Sequence, residues 1–123
     1  MTRSRVNLIC LMVNGVRKQS IKHNFPFDLD LFTGLVECIL DRAEQLGGHL
    51  RLLEFSKGKV LLVSQVFENP HVVAWAFMDK PIKLEEALEN LDKFALAYIN
   101  ERLDKLDTLN LELPKEFEPV ESD

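Results

Sequence analysis

The sequence is poor in glycine, proline and cysteine, and most of its aromatic residues are phenylalanine. Its 123 residues include five glycines, five prolines, two cysteines, one tryptophan and one tyrosine. This composition excludes a collagen-like or low-complexity chain, and a hydrophobic content of 46% excludes disorder for most of its length. A chain of this size is expected to form one domain with one core.

Long apolar runs are also missing. The run at residues 72–78 falls far short of the roughly 18 apolar residues that a membrane-spanning helix needs. The N-terminus has no apolar segment followed by a small-residue cleavage site, and Cys10 and Cys38 lie inside apolar patterns, so neither secretion nor a disulfide framework is indicated. We therefore expect a soluble cytoplasmic protein, with peripheral membrane association through a partner left open.

Acidic residues are absent from the first 25 positions. This segment holds five Lys or Arg, whereas residues 26–123 hold all 20 acids and ten Lys or Arg. A general nucleic-acid binder would be basic overall, and this chain has a net charge of −5. Scattered solvated charge is the simpler interpretation of the basic N-terminal strands, and a positive patch that faces an acidic protein or a phospholipid surface is the alternative.

The first third of the chain predicts a β-hairpin and a helix. Residues 6–13 form a nearly continuous apolar run that ends at Asn14-Gly15, a pair typical of tight hairpins, and residues 17–25 have the weak alternation and positive charge of an edge strand. A helix capped by Asp28 or Asp30 should follow and end at Gly47-Gly48. Its expected apolar side comprises Leu31, Leu35, Cys38, Ile39 and Leu46, with Phe32, Val36 and Ala43 beside them.

Three strands and a long helix are predicted next. The strands should occupy residues 49–55, 60–67 and 71–78, and the last two lack alternation, which indicates that both of their faces are covered. Apolar residues at helical spacing predict a helix over residues 84–106. The chain after Leu106 has six acids and two prolines, which predict an extended tail that is dispensable for folding. The alternative is a tail that docks on the domain through its apolar residues, Leu109, Leu111, Leu113 and Phe117.

No pattern of catalytic or metal-binding residues is present. The three histidines are far apart, no cysteine lies near another metal ligand, and no glycine-rich phosphate loop follows a strand. Glu37, Asp41 and Glu44 lie on one side of the first helix, where a solvated face is the simpler interpretation and a partner-facing stripe the alternative. Cys38 is expected to pack in the core as a small hydrophobe. Gly34 weakens a helix, which suggests that another backbone approaches the first helix closely at this position.

The order of elements and one helix pattern resemble the longin domains, especially the small stand-alone archaeal ones. The matching residues are Asn14-Gly15 in the first hairpin, 27–36 (FDLDLFTGLV), 59–63 (KVLLV) and 94–99 (FALAYI). They span most of residues 5–106. The related roadblock domains have an additional helix before the first hairpin, for which residues 1–4 leave no room.

The resemblance and the strand pattern together imply a three-layer α-β-α sandwich of order ββαβββα, with a mixed, mainly antiparallel five-stranded sheet. The domain should occupy residues 1–107, followed by an acidic tail at 108–123. The implied role is a non-enzymatic, SNARE-like interaction module in small-GTPase regulation or vesicle trafficking, without metal or cofactor, that works as a dimer or heterodimer. The expected interface residues are Phe32, Leu35, Val36, Leu40, Arg17, Lys18 and Lys22.

Two apolar rows on the first helix independently favour a second chain. One row holds Leu31, Leu35 and Cys38, the other Phe32, Val36 and Leu40, and contact with a sheet needs only one of them. The alternative function is a profilin-like or PAS-like sensor that binds a small molecule near Trp75 and Tyr98. An enzyme with an unrecognised site is a third and weaker hypothesis.

Overall fold

The computed structural model describes residues 5–67, 71–101 and 117, and it contains a five-stranded sheet and two helices. The α/β class and the five-stranded sheet are confirmed. All four pairings among the described strands are antiparallel, so the expected mixture of parallel and antiparallel pairs is not found there. The strands lie in the order β2-β1-β5-β4-β3. The elements are β1 (Val6–Val13), β2 (Val16–Lys22), α1 (Leu29–Leu46), β3 (Leu52–Glu54), β4 (Lys59–Phe67), β5 (His71–Asp79) and α2 (Leu84–Glu101).

The predicted turn and cap residues have the expected geometry. Asn14 and Gly15 both have positive φ, at 49° and 81°, as a tight hairpin between β1 and β2 requires. The Asp28 carboxylate accepts hydrogen bonds from the amides of Asp30 and Leu31, which would otherwise lack partners at the start of α1. Gly47 ends the helix at φ 149°.

Alternate residues of the central strands belong to two separate apolar clusters. The α1-side cluster joins α1 to Phe25 and to strand residues such as Trp75. The α2-side cluster joins Leu91, Phe94 and other residues of α2 to the remaining strand residues. From β1, β4 and β5, the α1-side cluster takes Leu8, Cys10, Met12, Leu61, Val63, Val73 and Trp75, and the α2-side cluster takes Val6, Ile9, Leu11, Val13, Val60, Leu62, Val72, Ala74, Ala76 and Met78.

Helix α2 packs mainly on β4 and β5. Nevertheless Ile9, Leu11 and Val13 of β1 are almost completely buried in the α2-side cluster, and Phe117, with 0% exposure, is a member of the same cluster. Phe117 therefore follows the docked alternative that the sequence left open, and the chain beyond Asp107 contributes to the core at this residue. The other residues named for docking, Leu109, Leu111 and Leu113, lie outside the described residues.

Two strands differ from expectation in their bounds, and the first of them, β2, ends at Lys22 instead of residue 25. β3 has only three residues, Leu52–Glu54, instead of the predicted 49–55, since Phe55 begins the turn towards β4. Helix α2 is described to Glu101, so its predicted extension to residue 106 lies outside the described part of the chain.

Candidate functional site

One side of α1 is committed to the core. Val36 is 1% exposed, and Leu40 is half-buried against the α1-side cluster. The Phe32 ring lies 5.0 Å from the Phe25 ring and 5.7 Å from the ring of Trp75, measured between centroids. Three residues expected at a partner interface, Phe32, Val36 and Leu40, thus pack within the chain.

The opposite side of α1 is apolar and exposed. Leu31 is 76% exposed and Leu35 55%, and Cys38 and Leu46 are also exposed. Residues three or four positions apart lie on the same side of a helix, so Leu31, Leu35 and Cys38 form a row, and Leu46 lies on the same side beyond the exposed Arg42. We name these four apolar side chains the outer stripe. Of the four apolar α1 residues expected at an interface, only Leu35 lies on this exposed side.

The outer stripe corrects one expectation. Cys38 was expected to pack in the core as a small hydrophobe, but it is exposed, because the row containing Phe32, Val36 and Leu40 takes the sheet contact and turns the other row towards solvent. The hydrophobic pattern contained both rows and did not distinguish between them.

Gly34 has no close neighbour among the described residues. A Cβ atom built on it would meet nothing within 4 Å, so the predicted close approach of another backbone is wrong for this chain. Gly34 lies between the positions of Leu31 and Cys38 on the exposed side of α1. The helix therefore carries a residue that costs about 1 kcal/mol relative to alanine, and no intramolecular packing uses the space.

A groove of about 440 Å³ runs beside the outer stripe, between α1 and the sheet. Glu37, Asp41 and Glu44 line its helix side, and Gln65 and His71 line its sheet side. Within the described part of the chain, the three carboxylates form no ion pair, and the Nε2 atom of His71 is buried without a hydrogen-bond partner. We name this feature the acidic groove.

An ion pair joins one of the basic residues of β2 to α1. Arg17 Nη2 lies 2.7 Å from Asp30 Oδ1, so this side chain ties β2 to the first turn of α1. In the β1–β2 register, Arg17 is opposite Met12 and Lys22 is opposite Leu8, and both partners belong to the α1-side cluster. Lys18 has no partner residue in this register, because the register shifts between Leu11 and Met12. Of the three, Arg17 is the one shown to contact α1.

The sheet and α2 are joined by a polar link that the sequence did not indicate. The Arg51 guanidinium donates to both Asp92 carboxylate oxygens, at 2.8 and 3.1 Å, and Ser64 Oγ donates to Asp92 Oδ1 at 2.5 Å. Burial alone would raise the pKa of Asp92, but the hydrogen bonds from Arg51 and Ser64 and the Arg51 charge outweigh it and lower that pKa. Positions 51, 64 and 92 are too far apart in sequence for any local pattern to have paired them.

Trp75 and Cys10 lie in the core. Trp75 is completely buried, its Nε1 lies 3.4 Å from Met12 Sδ, and it lines neither of the two described cavities. The side chain of Tyr98 lies outside the described residues. Burial raises the pKa of the Cys10 thiol to about 12, which keeps it protonated and unreactive near neutral pH.

Comparison with protein-family models, with curated proteins and with solved structures gave no match. Among the described helices, neither is both long and apolar enough to cross a membrane. The described His, Cys, Asp and Glu residues form no group of three or more that could hold a metal ion. The candidate site of this chain is therefore defined by its own geometry: the outer stripe and the adjoining acidic groove.

Proposed function

We propose that the chain is a longin-type protein–protein interaction module, without catalytic activity, that serves small-GTPase regulation or membrane trafficking. It works in the cytoplasm as a dimer or heterodimer and reaches a membrane only through its partner. Its fold is a three-layer α-β-α sandwich. The element order ββαβββα and the separation of α1 and α2 residues into two clusters support this architecture.

The outer stripe is the observation that carries the proposed function. Leu31 and Leu35 are among the most exposed apolar side chains of the chain, although the other side of the same helix already supplies the sheet contact. A helix that is apolar on both sides normally has a neighbour on both. Contiguous exposed apolar surface in a folded domain typically marks an interaction site.

The introduction of charge on the outer stripe tests the proposal. The variant L31E/L35E places two carboxylates on the stripe without touching the packed side of α1. I82E is the matched control, because Ile82 is 85% exposed and lies outside α1. Both variants should retain the thermal unfolding midpoint of the parent, because neither change disturbs buried side chains.

The readout combines sedimentation of the purified protein with affinity capture from native lysate. A self-complex or a specific captured protein should be present with the parent chain and with I82E, and should be lost with L31E/L35E. Equal complex formation by all three proteins would contradict docking on the outer stripe.

The acidic groove keeps a small-molecule sensor as the second candidate function. Its volume of about 440 Å³ lies within the range of ligand pockets, and polar groups converge on it. However, Trp75, the ligand-binding residue expected for a sensor, lies in the core instead. A thermal-shift screen of small cationic metabolites separates the two functions, since a sensor gains stability when ligand binds its folded state.

A further inference from the structure

We propose that the partner of the outer stripe presents a cationic amphipathic segment, whose apolar residues pack on the stripe and whose Lys or Arg side chains enter the acidic groove. This inference rests on the proposed docking function and specifies the chemistry of the partner. The observations that carry it are the position of the groove, its charge and the open space at Gly34.

The outer stripe and the acidic groove form one continuous surface. Cys38 belongs to the stripe and also lines the groove, and Gly34 lines the groove one turn earlier in the helix. A partner segment that packs on Leu35 therefore has the groove directly beside it. The absence of a side chain at Gly34 leaves room for the partner backbone to approach α1 closely at this junction.

The charge on this surface is unbalanced. Helix α1 contains four acids and one Arg. Asp30 is neutralised by Arg17 at 2.7 Å, whereas Glu37, Asp41 and Glu44, all lining the groove, have no ion pair within the described part of the chain. Positive side chains from a partner would compensate all three carboxylates.

The sheet side of the groove adds hydrogen-bonding groups. The Gln65 amide and the His71 imidazole line it, and His71 Nε2 is buried without a described partner. A Lys ammonium has three donors and an Arg guanidinium has five, and neither has an acceptor. Carboxylates and a Gln carbonyl oxygen can accept several of these donors, so the groove matches a cationic side chain better than an anionic or apolar one.

The same charges select against two other occupants. A second copy would bring its own Glu37, Asp41 and Glu44 towards this surface, and like charges at an interface oppose association. An anionic membrane would be repelled for the same reason. A cationic protein segment is the occupant that both the apolar stripe and the groove favour.

Two synthetic helical peptides test the inference on the full chain. Both carry leucines at positions i, i+3, i+4 and i+7; one has lysines along the flank of this apolar face, and the control has glutamates at those positions. Binding is measured by fluorescence anisotropy at low and high salt. The protein variants are the parent, E37Q/D41N/E44Q and L31E/L35E, each checked for an unchanged unfolding midpoint.

We expect the lysine peptide to bind the parent at least about tenfold more tightly than the glutamate peptide, since three partly exposed charge pairs act together. E37Q/D41N/E44Q should remove this preference, and added salt should reduce it. L31E/L35E should weaken binding of the lysine peptide through loss of apolar contact, even though its added charge attracts lysine.

The remaining outcomes overturn one or both proposals. Equal binding of both peptides, abolished by L31E/L35E, would retain docking on the stripe and refute the cationic partner. A homodimer that L31E/L35E dissociates would likewise retain docking, with a second copy as occupant. Binding of neither peptide to a monomeric parent would refute the cationic partner, and unchanged complexes with L31E/L35E would refute docking itself.

Discussion

Replacing Phe117 with alanine should destabilise the whole domain, although this residue belongs to a C-terminal segment whose composition predicts a dispensable tail. Phe117 is completely buried in the α2-side cluster. Helix α2 covers mainly β4 and β5, yet Ile9, Leu11 and Val13 of β1 are buried in that cluster too. The Phe117 ring is therefore part of what keeps this face of the sheet from water.

The magnitude follows from the loss of a buried aromatic side chain. Phe to Ala substitutions in cores cost about 3–5 kcal/mol, which combines the lost transfer free energy with the cavity left behind. A domain of this size has a free energy of unfolding of about 5–15 kcal/mol, so F117A should lose a large fraction of it. The thermal midpoint should fall by about 10–20 °C.

Urea unfolding followed by circular dichroism measures the effect, with F27A as the control. Phe27 is 63% exposed, so the same chemical change there should cost less than about 1 kcal/mol. Truncation after Asp107 should destabilise the domain at least as much as F117A. If F117A and F27A lost the same small free energy, and the truncated chain kept its midpoint, the tail would be dispensable and the role assigned to Phe117 would be refuted.

Three further predictions concern single groups. The lowered pKa of Asp92 means that its folded-state charge stabilises the domain above about pH 4 and that this stabilisation is lost as the pH falls through the folded-state pKa. The free energy of unfolding in urea should therefore fall more steeply with decreasing pH for the parent than for D92N, and parallel pH profiles would contradict this prediction. Exposed Cys38 should react with a thiol reagent in the native protein, whereas buried Cys10 should react only after denaturation. Mass spectrometry counts the labelled cysteines, and rapid labelling of both in the native protein would show that Cys10 is accessible. G34A should raise the free energy of unfolding by about 0.5–1 kcal/mol, because the added methyl meets open space and favours the helix, and a loss of stability would reveal an intramolecular contact at that position.

Local signals in the sequence account for most of the fold. Asn14-Gly15 predicts the first hairpin because only a few residue types adopt positive φ easily, and Asp28 and Gly47 predict the ends of α1 for equally local reasons. The missing alternation in β4 and β5 indicates strands buried on both faces, and their alternate residues do belong to two clusters. These features depend on residues close to one another in the chain.

The candidate site depends on a choice that local patterns leave open. Leu35 and Val36 are adjacent and equally apolar, and only the packing of α1 decides that Val36 is buried and Leu35 exposed. The acidic groove requires α1 to lie beside Gln65 and His71, which are far away in sequence. Glu37, Asp41 and Glu44 could be assigned to one side of the helix beforehand, but their position beside a groove could not.

The most direct measurement is a titration of isotopically labelled full-length protein with the lysine peptide, followed by NMR of the backbone amides. We expect the shift changes to concentrate in residues 31–46 of α1 and around Gln65 and His71, which line the opposite side of the groove. Changes confined to α2 or to the edge strand β2, or saturating shifts that L31E/L35E leaves unaltered, would show that the outer stripe of α1 is not the binding surface.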